Sequence, residues 1–213
     1  MPSSPPSKLT FKGTITSVQP RIRLHRSFGE RHHSYLGYVL AIEGELDAER
    51  RTFSVGIGKA AQAKHGFQVG DTIKGAAAHV RNPRTETAEF YKASGLKTLE
   101  PAGGNDDTPP PWHSPPPALE VYRERGHRRL AAKTFDTKCG TCIWGCRMAV
   151  EITIDQWNPT KAKYRVETWC YGPLSCPSYK AGPTRKVPGR NGMTWEEPDW
   201  VDDEAPSHRS QEE

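Results

Sequence analysis

Long apolar runs are missing from this 213-residue chain. Only 34% of its residues are hydrophobic, mean hydropathy is −0.77, and no stretch is apolar enough to cross a membrane. A secretory leader is also missing from Met1 to Ser7, which has neither a charged start nor an apolar run. A reducing, cytoplasmic setting is therefore expected, and disulfides are disfavoured. Cysteine is absent everywhere except between Cys139 and Cys176. The sequence contains no phosphate-binding glycine loop, no Gly-x-Ser-x-Gly elbow, no His-Glu-x-x-His pair and no deaminase-type His-x-Glu, so the reading leans away from an enzyme.

Glycine and proline are abundant, at nineteen each, and favour short strands and many turns over long helices. The net charge of +5 conceals a division. Lys8 to Glu100 carries 15 Lys and Arg against 9 acids, and Leu119 to Arg190 carries 14 against 6. Asn191 to Glu213 has eight acids against Arg209 alone. Two basic regions followed by an acidic tail suit a polyanionic partner, which basic surfaces bind with release of counterions.

All five cysteines fall in one stretch, Cys139-x2-Cys142-x3-Cys146 and then Cys170-x5-Cys176. Between them, Arg147 to Gln156 alternates apolar and polar residues as a half-buried strand does, Trp157 to Thr160 reads as a turn, and Ala162 to Tyr171 returns. An antiparallel return would bring distant thiols together around Zn2+, a metal core replacing the apolar one this segment cannot build. This is the logic of a zinc ribbon. Cys139 and Cys142 form the first pair, Cys170 and Cys176 the second, and Cys146 is the spare, with its displacement of Cys170 as the alternative ligand set. An iron–sulfur cluster on the three close cysteines and Cys176 is the alternative, as are unliganded thiols.

Strand periodicity recurs earlier, at Leu9 to Val18, Tyr35 to Glu43 and Arg51 to Ile57. A short helix, Lys59 to His65, is ended by Gly66, and a strand after Gly70-Asp71 and another at Leu96 to Leu99 complete the set. This order, with the phrase Val69-Gly70-Asp71-Thr72-Ile73-Lys74-Gly75, resembles an OB-fold over residues 8–100. The resemblance implies a five-stranded barrel that binds oligonucleotides between the loops after its first and fourth strands. Here those loops would be Arg21 to Ser34, with Arg21, Arg23, Arg26 and Arg31, and Arg81 to Ser94, with Arg81, Arg84, Tyr91 and Lys92. Cations track phosphates while rings stack on bases, at about 1–3 kcal/mol per stack.

Residues 101–117 form a Pro/Gly-rich linker after the disordered lead 1–7 and the domain 8–100. Residues 118–192 hold a basic segment and the ribbon-like module, and 193–213 the acidic tail, expected to be extended or disordered at its end, with Trp195 and Trp200 marking a docking segment for which the chain's own basic surface is a candidate. Ala118 to Lys133 is expected to be helical, with Arg123, Arg125, Arg128 and Arg129 outward; Arg185, Lys186 and Arg190 follow the cysteines. The expected fold is mainly β: an N-terminal OB-like barrel, then a Cys-rich metal-binding β-hairpin module with a short helix. The expected function is non-catalytic, zinc-stabilised binding of single-stranded DNA or RNA. The alternatives are an adaptor that binds protein partners, through the tail with Trp195 and Trp200 among other surfaces, and an iron–sulfur protein.

Overall fold

The computed structural model describes residues 7–28, 30–103, 109–158 and 160–210. The chain is mainly β, built on one large sheet. In order come β1 (Lys8–Ser27), β2 (Glu30–Leu46), β3 (Glu49–Ile57), α1 (Lys59–His65), β4 (Thr72–His79) and β5 (Phe90–Glu100). After them come α2 (Leu119–Arg125), β6 (Arg128–Arg129), the single turn α3 (Ala132–Thr134), β7 (Gly145–Thr153) and β8 (Ala162–Cys170). The last elements are β9 (Lys186–Pro188), β10 (Thr194–Glu196) and α4 (Trp200–Glu204).

The eight-stranded sheet has the order β2-β3-β5-β4-β1-β7-β8-β6, and β2 also pairs with β1. The pairings among the first five strands therefore return to their start. β1 meets β2 and β4, β2 meets β3, β4 meets β5, and β3 touches β5 in parallel through Val55 and Phe90. Gly13 and Gly44 face each other across β1 and β2, where a Cβ on Gly13 would lie 2.5 Å from the Glu43 carbonyl oxygen. Only glycines allow the two backbones to approach this closely.

β1 is long enough to change partners. Lys8 to Thr14 pairs antiparallel with β4, and Arg23 to Arg26 pairs in parallel with Ala149 to Ile152 of β7. The sheet thus continues from the first half of the chain into the second. One apolar core does the same, joining Ile15, Leu40, Ile42 and Phe53 to Met148, Val150, Trp169 and Tyr171.

Two expectations are corrected. Arg21 to Ser34 is not a loop: the β1–β2 ladder runs out to Ser27 and Glu30. Its charges mask a strand alternation, with Ile22, Leu24 and Arg26 buried and Arg21, Arg23 and His25 on the opposite, more exposed face. The helix expected from Ala118 to Lys133 stops at Arg125. There Gly126 takes φ +68°, and a Cβ would meet the Ala205 carbonyl oxygen at 2.3 Å, so the chain turns to extend as β6. The acidic tail docks on the chain's own arginines, as its tryptophans suggested; its last residues, 211–213, lie outside the described ones. β10 pairs with β9, Glu197 is fully buried, and α4 follows. α1 does end where Gly66 caps it in the left-handed region, its amide donating to the Gln62 carbonyl at 2.8 Å.

Candidate metal centre and nucleic-acid interface

The β7–β8 hairpin sets Gly145 opposite Cys170, so the turn carrying Cys139 and Cys142 lies beside the end of β8. Cys139, Cys142 and Cys170 are buried in one cluster with Leu130 and Phe135, under Trp112, Trp144 and Tyr179. The turn is fastened to β1. The Gln19 side-chain amide donates to the carbonyls of both Cys139 and Cys142 at 2.9 Å, and the Ser17 hydroxyl donates to that of Gly140 at 3.0 Å.

Burial pushes the Cys139 thiol up to about 12, and the sulfurs of Cys170, Cys142 and Cys176 push in the same direction. The sulfurs of Cys142, Cys170 and Cys176 are therefore within electrostatic reach of Cys139. Two of them are supplied with donors. The Gly172 amide donates to Cys170 Sγ at 3.4 Å and Arg128 Nη2 lies 3.9 Å from it. Burial raises the Cys142 thiol, opposed by the backbone amides of Trp112 and Trp144. Cys146 stands apart in the large apolar core, fully buried, its Sγ donating to the Pro20 carbonyl at 3.3 Å. Among the described residues, no three ligating side chains are drawn close enough to form a group that could hold a metal ion. The donor chemistry nevertheless suits a thiophilic ion, because amides and a guanidinium directed at sulfur stabilise thiolate.

The expected nucleic-acid cations divide into bound and exposed. Arg26 and Arg129 are buried and cannot meet a phosphate in this conformation, which corrects the expectation that both lie on the surface. Arg26 Nη2 contacts Glu197 at 3.0 Å and Glu167 at 3.4 Å, and Arg129 pairs with Asp199 and Asp202. Arg31 reaches Glu197 at 2.7 Å. Arg185 reaches Glu167 at 2.6 Å and stacks 4.4 Å over Trp169. Arg21 forks onto Glu86, and Arg23 donates to the Thr85 carbonyl at 2.8 Å. Arg125 donates to the Tyr171 carbonyl at 2.8 Å, and Arg128 to that of Pro173, also at 2.8 Å, while stacking on Tyr179. These arginines act as internal donors, tying the cysteine turn and the tail to the sheet.

The exposed members are Arg81, Arg84, Lys92, Arg123, Lys186 and Arg190. Arg84 lies 4.9 Å over the ring of Tyr164, Arg123 lies 4.9 Å over Tyr35, and Lys92 lies 5.2 Å from the ring of half-buried Tyr91. Arg190 Nε is 3.8 Å from Asp155. Tyr91 and Lys92 belong to β5, because that strand starts at Phe90, not at Leu96.

Register gathers one face across three strands. Arg23, Ala149 and Val166 are aligned neighbours, as are His25, Glu151 and Tyr164, and residues aligned in a sheet share a face. Arg147 and Thr168 continue it by one pair. Tyr164, Val166 and Arg147 escaped the sequence reading because no motif marks them; only the β1–β7 pairing places them beside the basic strand.

Burial shifts two histidines. His33 is lowered to about 4, first by burial and then by Arg31 and Arg26, and His127 is lowered for the same reasons, with His33 also contributing. Their rings lie 4.5 Å apart, and His127 meets Trp169 edge-on at 4.6 Å. Both are therefore neutral near pH 7.

Compared with known protein families, characterised proteins and solved structures, the chain matches none. Among the described residues, no helix is long and apolar enough to cross a membrane.

Proposed function

We propose that this chain is a non-catalytic, zinc-stabilised protein that binds single-stranded nucleic acid, with residues 8–100 forming an OB-like barrel. The observation that carries this reading is the cycle of pairings β1-β2-β3-β5-β4-β1, with α1 between β3 and β4. That is the strand order of an oligonucleotide-binding barrel. Exposed Arg81 and Arg84 on the loop between β4 and β5, with Tyr164 beneath Arg84, supply the pairing of cation and ring that a single strand uses.

In this reading Cys139, Cys142, Cys170 and Cys176 hold one zinc ion, while Cys146 serves the apolar core. An iron–sulfur cluster on Cys146 would need that thiol to leave the core and its bond to Pro20. Zinc would act as a structural tie, fixing the turn and its basic surroundings against β1. A second reading, a protein-binding adaptor, is favoured by two tryptophans that stay exposed, Trp157 and Trp200.

The test is direct. The purified protein should carry about one zinc per chain, be colourless, and bind a labelled single strand with an affinity that falls steeply between about 50 and 200 mM salt. A brown protein, or a complex insensitive to salt, would overturn the corresponding half of the reading.

A further inference from the structure

Arg147 stands where two hollows meet. The smaller, of about 210 Å³, lies between the outer face of β1 to β3 and the cysteine turn, walled by Gln19, Ala41, Ser54, Thr87 and Gly140. The larger, of about 510 Å³, lies over β8, walled by Arg165, Val166, Thr168, Arg185 and Lys186. Arg147 lines both.

The two differ in chemistry. Among the described residues, Arg147 is the only charged one lining the smaller hollow, whose other walls are amide, hydroxyl and apolar groups. The larger holds Arg147, Arg165, Arg185 and Lys186 against Asp136 and Glu167; Glu167 engages Arg165 and Arg185, which leaves Arg147 and Lys186 to meet a phosphate, and Val166 on its apolar wall is 57% exposed. Uncharged walls beside a cation suit a base next to its phosphate, and an excess of cations over acids suits the phosphates that follow.

Arg147 is also held in place. Its guanidinium lies 4.9 Å over the Phe135 ring and 2.7 Å from Asp136, with its side chain 48% exposed. A planar cation already fixed on a ring loses little freedom on taking a phosphate, and an exposed ion pair is weak enough for that phosphate to displace Asp136.

We propose that single-stranded nucleic acid crosses this junction, with a base in the smaller hollow, its phosphate on Arg147 and the strand continuing over Val166 to Lys186. The proposal rests on the nucleic-acid reading above and names its route, which differs from a path along the barrel loops alone.

The experiment is titration of a fluorescently labelled single-stranded oligonucleotide into the full chain at several salt concentrations. R147E and K186E should each weaken binding about tenfold and flatten the salt dependence by about one charge. T87W, which fills the smaller hollow, should weaken binding to a similar extent without flattening it. Thermal melts check each fold, and R147Q replaces R147E if the reversal impairs folding. If R147E (or R147Q) and K186E bind like the parent while R81E and R84E do not bind, the route is overturned and the nucleic-acid reading stands. If the parent chain binds no oligonucleotide at low salt, the nucleic-acid reading itself fails.

Discussion

The two halves of the sheet are held together by different chemistry. Over most of the first five strands the interior is apolar: Ile15, Val18, Leu40, Ile42, Phe53, Val55 and Ile73 are buried, and buried Arg26 lies at the far end of β1, where that strand meets β7. Around β7, β8 and the tail, the interior contains arginines and carboxylates. Arg26, Glu167 and Glu197 have side chains no more than 2% exposed, and Arg31, Arg165 and Arg185 complete the network. Beside it sits the cysteine cluster. The first half draws stability from removing apolar surface from water, at about 25 cal/mol per Å². The second adds to its apolar packing a set of groups that must be satisfied together, because a buried charge without its partner is costly. The lesson is that a sheet can run unbroken through a chain while the source of its stability changes along the way.

The largest expected effect is on the cysteines. C142S or C139S should abolish the proposed zinc stoichiometry and unfold the back half, leaving β-structure from the first five strands; C146S should keep the metal and lose only core packing. Metal analysis with circular dichroism, before and after a strong chelator, reads both. Equal metal loss in C146S would break the division between the two sets of thiols.

Next in size is the ionic interior. E197A strips Arg26 and Arg31 of a shared partner, and should cost about 3–5 kcal/mol in urea unfolding, because buried Arg26 is left with only Glu167, which Arg165 and Arg185 already share. A cost below about 1 kcal/mol, as for a surface pair, would mean that the tail is held by other contacts.

The smallest effect, and the most general, concerns pH. His33 stays neutral in the fold down to about pH 4, whereas the unfolded chain takes up a proton near 6.5. Stability is therefore fully present above pH 6.5 and declines as pH falls toward 4, by about 3 kcal/mol from this group. His127 acts in the same direction. Below the usual carboxylate range Glu167 adds to the loss, since Arg26, Arg185 and Arg165 outweigh its burial and hold its carboxyl low. Urea midpoints at pH 7, 5.5 and 4 should fall in that order, and H33N should flatten the first part of the decline.

Legibility followed local period. The alternation of apolar and polar residues marked β2, β3, the β7–β8 hairpin and the start of β1, and the glycine after His65 marked the end of α1. Arg21 to Arg26 carries the same alternation, but its outward positions are so basic that composition suggested a loop. The tail's tryptophans marked a docking segment for the chain's own basic surface, but which cations would take it was not legible; they are Arg26, Arg31 and Arg129, all more than sixty residues away in sequence.

By itself, the sequence determined a mainly β chain, the strand periods, and the crowding of every cysteine into one segment, because period and spacing are local properties. Only the tertiary structure decided that β1 would take β7 as a partner, that Cys146, already the spare of the sequence, would sit in the apolar core bonded to the Pro20 carbonyl, and that eight of the twelve candidate arginines would turn inward as donors. Each of these depends on which distant strand supplies the opposing carboxylate or carbonyl, and burial makes that pairing compulsory.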